Sequence, residues 1–251
     1  MRVTAVQHDI VWLDRDANFE RLSPMVAAAV DGGAELVLLS ETFSTGFATD
    51  GSKVAEAPGG PSERFLRDQA VAHDVWVGGT FPQTGDGPLP YNTFVLAGPD
   101  GTTHRYRKIH RFGYGGEDRV FDAGDQLVTV TIGDLRVTLF VCYDLRFADE
   151  FWQVAADTDV YLVPANWPAA RSAHWRQLLI ARAIENQAYV VACNRVGSGG
   201  RLSYQGDSCI IDPLGETLAR GADRETLVSA EITASEVAAV RERFPFLGDR
   251  R

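Results

Sequence analysis

Val137-Thr138-Leu139-Phe140-Val141-Cys142-Tyr143-Asp144-Leu145-Arg146-Phe147 is the stretch on which the reading of this chain turns. A strongly apolar strand ends on a cysteine, polar residues follow at once, and a helical pattern begins near 147. A thiol at that strand–turn–helix position is placed as a nucleophile, with a backbone N–H close by to serve an oxyanion. The same residue also reads as a small core hydrophobe, which is what most free cysteines after apolar strands are.

Outward from that strand, helix and strand patterns alternate over the whole chain. Towards the N-terminus, 127–132 and 135–142 predict a hairpin turning at Gly133-Asp134. Strands are expected near 2–8, 34–39, 75–80, 92–97 and 103–109. Helices are expected over 16–30, where Pro24 is a possible kink, and over 61–73. Towards the C-terminus come a helix at 147–156, a strand at 159–163 and the longest helix at 171–187. Strands near 188–194, 207–212, 216–220 and 226–231 and a short charged helix at 233–243 follow. No linker or repeat interrupts this order. It predicts one α/β domain over 1–251, with its core in 2–232, a tail at 233–251 and mixed sheets.

Composition narrows the function classes. A chain of 251 residues with 45% apolar and 23% charged residues is globular and large enough to bury a core without staples. Its formal charge of -10 argues against nucleic acid or an anionic membrane as partner. No apolar run approaches a membrane span, and no signal-peptide pattern opens the chain. Three cysteines, Cys142, Cys193 and Cys209, without C-x-x-C spacing suggest reduced thiols and a cytoplasmic protein. Cys193 and Cys209 lie within strand patterns and read as core. There is no dinucleotide fingerprint, phosphate loop or nucleophile-elbow serine, and the five histidines lack metal-ligand spacing. Neither a cofactor nor a metal is expected, so any chemistry must come from side chains.

Two more strand ends carry such side chains. Glu41 follows Leu36-Val37-Leu38-Leu39-Ser40, where α/β folds place their sites. A desolvated carboxylate there suits a general base, although a helix cap or a solvated loop acid is equally a glutamate's role. Lys108 follows Tyr106-Arg107. On a strand it faces opposite to Arg107 and can point inward to a developing oxyanion, although basic runs are usually solvated.

The order Glu41, Lys108, Cys142, each after a strand, resembles the nitrilase, or carbon–nitrogen hydrolase, superfamily. The likeness runs from Val3 to about Ile232. It includes Ala5-Val6-Gln7, Glu41-Thr42-Phe43-Ser44-Thr45-Gly46-Phe47 and Lys108-Ile109-His110 with Phe112, Glu117, Phe121 and Gly124. It continues through Cys142–Phe147, Pro164-Ala165-Asn166-Trp167-Pro168, Ala181–Gln187, Asn194–Gly197 and Asp212-Pro213 with Gly215. Cys142–Phe147, Ala165–Pro168 and His174-Trp175 look most like the ω-amidase branch. Two positions depart from the family pattern. Arg111 stands where leucine is common and is placed to alter the pocket mouth. Ala148-Asp149 replaces a common Pro-Glu.

The resemblance implies a four-layer α-β-β-α sandwich and a homodimer or higher homo-oligomer paired through outer helices. It implies that Cys142 attacks an amide carbonyl with Glu41 as general base. Lys108 and the Tyr143 backbone N–H hold the oxyanion, ammonia leaves, and water releases the acid from a thioester. Lys108 would also favour the Cys142 thiolate by charge proximity. Glu117 matches a supporting glutamate, with a salt bridge to Arg111 or Arg119 as its alternative. The implied substrate is a short dicarboxylate monoamide such as α-ketoglutaramate. Arg171 is the candidate for its second carboxylate, Phe43, Phe112 and Trp167 are candidate walls, and Asn166 is a candidate contact. Arg146 reads as a structural partner of Asp144 or Glu150. A nitrilase or an N-carbamoyl amide hydrolase on the same residues, a catalytically silent binding protein, and a cysteine-based redox sensor are the other readings.

Overall fold

Alternation of side chains along each strand sorts the buried residues into layers. In β1 (Arg2–Gln7) and β2 (Leu36–Leu38), Val3, Ala5, Leu36 and Leu38 join the large central core. Val6, Val37 and, just past the strand, Leu39 belong to a second cluster with Leu22 and Val26 of α1 (Arg15–Asp31) and Leu66 and Ala70 of α3 (Pro61–His73). One sheet face therefore meets helices and the other meets a second sheet, as period-two strands require when both faces are covered. This is a computed structural model, and it describes residues 1–48 and 51–249.

The first half adds a short α2 (Gly51–Val54), β3 (Trp76–Gln83), β4 (Tyr91–Ala97) and β5 (Thr103–Arg107). The second half holds β6 (Thr129–Ile132), β7 (Leu135–Leu139), α4 (Ala148–Val154), β8 (Val160–Ala165), α5 (Ser172–Asn186) and β9 (Tyr189–Asn194). It continues with β10 (Val196–Gly199), β11 (Leu202–Gln205), β12 (Cys209–Ile211), β13 (Thr217–Arg220), β14 (Thr226–Glu231) and α6 (Ala234–Arg243). The first sheet has the order β14-β1-β2-β3-β4-β5 and the second β13-β12-β9-β8-β7-β6. Each has a parallel centre, β1-β2-β3 or β7-β8-β9, whose crossovers are helical, and antiparallel flanks. The mixed four-layer sandwich anticipated above is what the chain forms. β1 and β9 touch across the interface, and β14 returns from the second half to close the first sheet.

Local chemistry sets the element ends. Asp14 caps α1 by accepting from the Ala17 N–H at 3.0 Å, an arrangement worth roughly 1 kcal/mol. Pro61 opens α3, where a missing N–H costs nothing, and α5 stops at Gln187 in the left-handed conformation (φ 47°). Pro24 lies inside α1, which runs on without interruption.

Several boundaries differ from expectation. The strand expected over 103–109 ends at Arg107, and that over 135–142 ends at Leu139, so Lys108 and Cys142 both lie beyond their strands. The helix expected over 147–156 is α4 followed by a 3-10 turn at Ala155–Asp157. The β10–β11 ribbon was not expected, because Gly197-Ser198-Gly199-Gly200 shows turn chemistry and no apolar alternation.

Candidate active site

Four segments, two from each sheet, converge on one cavity of about 320 Å³. Glu41 follows β2 and Lys108 follows β5; Cys142 follows β7 and Asn166 follows β8. Glu41 and Lys108 are each only 1% exposed, while Cys142 keeps part of its surface open to the cavity. Two of these turns carry left-handed residues that are not glycine, Thr42 (φ 44°) beside the acid and Cys142 itself (φ 46°). Such backbone costs of order 1–3 kcal/mol and persists where surrounding bonds over-determine it.

Those bonds are present. Glu41 Oε1 accepts from Lys108 Nζ at 2.9 Å and from Asn92 Nδ2 at 2.8 Å. Glu41 Oε2 accepts from the Asn166 N–H at 2.8 Å, and the Asn166 amide donates to the Glu41 carbonyl at 3.0 Å and to Thr42 Oγ1 at 2.7 Å. Lys108 Nζ also donates to both Glu117 oxygens, at 2.9 and 2.8 Å, and Glu117 Oε2 accepts from the Phe112 N–H at 2.6 Å. Glu117 thus pairs with Lys108 rather than with Arg111 or Arg119. Arg111 donates instead to the Phe121 carbonyl at 3.2 Å and is absent from the cavity wall.

The electrostatics follow from burial and this pairing. Burial disfavours the Lys108 ammonium, but the Glu117 and Glu41 carboxylates overcome it and hold its pKa well above the ordinary lysine value. Burial likewise raises the Glu117 carboxyl, against the pull of Lys108. For Cys142, burial pushes the thiol well up and the adjacent Glu41 carboxylate, which accepts its hydrogen bond, adds to the rise. The Lys108 charge acts the other way without prevailing. Lys108 thus favours the thiolate as expected, but burial and the Glu41 carboxylate outweigh it and hold the thiol pKa up.

The first turn after β7 explains where an oxyanion can bind. Cys142 and Tyr143 open a 3-10 turn whose first internal bond is Asp144 N–H to the Val141 carbonyl, at 3.0 Å. Their own N–H groups stand ahead of that bond, where a helical turn leaves donors free. Tyr143 lines the cavity.

Of the remaining expected residues, Phe112, Asn166, Trp167 and Arg171 line the cavity. Phe43 does not. It is fully buried beneath the helices, with ring centroids 6.2 Å from Phe19 and 5.9 Å from Phe65. The left-handed Thr42 reverses the chain after Glu41 and sends Phe43 to the outer face, where Gly79 leaves room for its ring. Phe47, four residues on, takes its place in the wall beside Trp12 and Tyr204. Arg146 also departs from expectation. It pairs with neither Asp144 nor Glu150 but lies over the Trp167 ring at 4.9 Å and within 3.1 Å of His174 Nδ1, on the cavity rim. Asn92 is absent from the sequence expectations; its only signal is a polar pair, Asn92-Thr93, near the start of a mostly apolar strand.

Comparison with known proteins gives the family of the chain. A family model described as carbon-nitrogen hydrolase matches residues 2–242. The chain belongs to the carbon–nitrogen hydrolase family. It is an enzyme of the amide-hydrolysing kind. An ω-amidase (YafV) of Yersinia enterocolitica is 40% identical over 99% of this chain and 96% of its own length. A 2-oxoglutaramate amidase of Bacillus subtilis is 34% identical over 87% of this chain and 85% of its own. Among solved structures, XC1258 of Xanthomonas campestris, a member of the same superfamily with an arsenic adduct in its active site, superposes with a TM-score of 0.95. It is 35% identical and covers 100% of this chain and 97% of its own.

Proposed function

We propose that this enzyme is an ω-amidase that hydrolyses the terminal amide of short dicarboxylate monoamides such as α-ketoglutaramate. The observation that carries the reading is the meeting of Glu41, Lys108 and Cys142 at the floor of one small cavity, in a chain similar to ω-amidases over nearly its full length. Cys142 Sγ attacks the amide carbonyl as Glu41 takes the thiol proton. Lys108 and the Tyr143 N–H hold the oxyanion, and Glu117 fixes Lys108. Glu41 returns the proton to the nitrogen, the C–N bond breaks, and ammonia leaves a thioester on Cys142. Water, deprotonated by Glu41, releases the carboxylic acid and restores the thiol. The neutral resting thiol fits this order, since proton removal accompanies attack.

The rim supports the substrate class. Arg171, whose guanidinium lies 5.1 Å from the Phe112 ring centroid, and Arg146 have no carboxylate partner among the described residues. They are available to a substrate carboxylate. Residues 1–251 act as one hydrolase domain, with 2–232 as its core. The protein works as a homodimer or higher homo-oligomer, a reading favoured by Ile184 (50% exposed) and Leu214 (46%) beside outer helix α5. It resides in the cytoplasm, in keeping with three free cysteines, and no described helix is long and apolar enough to cross a membrane.

Ammonia release from α-ketoglutaramate, a nitrile and an N-carbamoyl amino acid tests the assignment. The monoamide is expected to be turned over with the highest kcat/KM. Turnover of the nitrile with none of the monoamide would overturn it.

A further inference from the structure

We infer that Asp144, which touches none of the reacting groups, is the positioning residue that sets the spacing between the Lys108 amine and the Cys142 thiol. The two groups come from different sheets, so their separation depends on how the sheets are held together at the site. Besides the Cys142–Glu41 hydrogen bond itself, two side chains among the described residues hydrogen-bond across the sheets there. One is Asn166 on Glu41, within the reacting set. The other is Asp144, 1% exposed.

Its carboxylate accepts from three donors, two of them backbone N–H groups, and faces the His110 ring. Asp144 Oδ2 accepts from Tyr106 Oη at 2.8 Å and the Val141 N–H at 2.9 Å. Asp144 Oδ1 accepts from the His110 N–H at 2.8 Å and lies 3.2 Å from His110 Nδ1. Tyr106 and His110 stand two residues either side of Lys108, and Val141 directly precedes Cys142. One carboxylate therefore grips the lysine segment at both ends and the cysteine turn at its root. The grip also has a task. Cys142 holds a left-handed φ of 46°, and the Val141 N–H bond helps keep the chain there. His110 is braced in turn by Glu150 Oε1, 3.2 Å from its Nε2, and by Phe147, whose ring centroid lies 3.6 Å away.

Each oxygen of Asp144 accepts from a backbone N–H, so the carboxylate cannot be exchanged for an amide without loss. In Asp144→Asn the new NH2 must face either the Val141 or the His110 backbone N–H, whichever way the side chain turns. Tyr106→Phe is the milder variant, since it removes one donor and leaves the carboxylate with the others.

The experiment compares wild type, D144N and Y106F by kcat and KM on the preferred amide. Active sites are counted by iodoacetamide incorporated at Cys142, and the rate of that alkylation is followed as well. D144N is expected to lower kcat per titrated site about 100-fold, as misplacement of a reacting group by about 1 Å does, with KM within about 3-fold. Y106F is expected to lower kcat about 3- to 10-fold, and alkylation of Cys142 is expected to slow in the same order. A purely structural role would instead lower the melting temperature and the number of titrated sites while kcat per site stayed at the wild-type value, and that result overturns the inference. Where D144N does not fold, Y106F decides by the same criterion. The inference rests on Cys142 being the reactive thiol, not on the substrate. If wild type hydrolysed no amide, the ω-amidase reading would fall, and the alkylation rates would still decide the role of Asp144.

Discussion

The floor and the rim of the cavity are built on opposite principles. On the floor, Glu41, Lys108, Glu117, Asn92 and Asn166 are buried and bonded to one another. On the rim, Arg146 and Arg171 have no acid beside them among the described residues and rest on aromatic faces. Several guanidiniums elsewhere in the fold are matched by acids, Arg195 to Asp9, Arg136 to Asp159, Arg176 and Arg220 to Asp207, whereas Arg111 and Arg64 donate to backbone carbonyls. A preorganised floor can stabilise charge that develops during reaction, because its dipoles are already in place. An unmatched rim can only contribute when a ligand brings the missing charge. Floor variants should therefore change kcat, and rim variants should change KM and preference.

The largest effect tests the floor. Cys142→Ala is expected to abolish ammonia release, a fall on the order of 10⁴-fold or more, with the fold retained. An ammonia assay beside a thermal melt checks it, and full activity in a folded variant would break the scheme. The same variant carries a pH prediction. The folded Cys142 pKa is raised, by burial first and Glu41 second, whereas an unfolded cysteine ionises near 8.5. Below that value both states are protonated and nothing is lost. Above it the unfolded chain sheds a proton that the folded one keeps, so stability falls as pH rises. At pH 10 the unfolded chain has shed this proton and the folded one still holds it, a penalty that the alanine variant lacks. Denaturant titrations at pH 7 and pH 10 should show C142A losing less than wild type.

Glu117→Gln keeps the size of the side chain but removes one of the two carboxylates on Lys108. It is expected to lower kcat about 100-fold with little change in KM. A rise in KM at constant kcat would move Glu117 from the floor to the substrate.

The rim responds differently. Arg171→Gln and Arg146→Gln should each raise KM for a dicarboxylate monoamide about 10-fold, the scale of a charge-assisted hydrogen bond. The ratio of kcat/KM for that substrate over an uncharged amide of equal chain length should fall with it. Equal losses on both substrates would show that these arginines hold the fold and do not read a carboxylate.

This contrast also explains what could be read without coordinates. Glu41, Lys108 and Cys142 announce themselves because each interrupts an apolar strand pattern at its end, a local signal. The sandwich is legible for the same reason: strands such as 137–141 and 188–193 are almost wholly apolar, and their crossovers have helical spacing. Asn92, the cross-sheet bonds of Asp144 and the rim position of Arg146 are not local. Asn92 reaches Glu41 across 51 positions of sequence, and Asp144 reaches Tyr106 across 38. Nothing in a single sequence states which turns the two sheets will bring face to face. Arg146 was assigned to nearby acids because proximity in sequence was the only proximity visible.

Phe43 is the sharpest case, since it lies two residues from Glu41 and yet belongs to another layer. A single left-handed residue, Thr42, separates the acid that faces the cavity from the ring that faces α1 and α3. Pocket wall and outer core make different predictions for Phe43→Leu. A wall residue would change KM with little effect on stability. An outer-core residue, fully buried against Phe19, Phe65 and Phe81, should cost about 1–2 kcal/mol of stability through lost ring packing. Its kcat and KM should stay within about 2-fold of wild type, as expected for a ring that packs on the helix side of the sheet and shares no partner with the reacting groups. Denaturant unfolding and steady-state kinetics on the same preparation separate the two. A change in KM at unaltered stability would return Phe43 to the cavity and require the turn at Thr42 to run the other way.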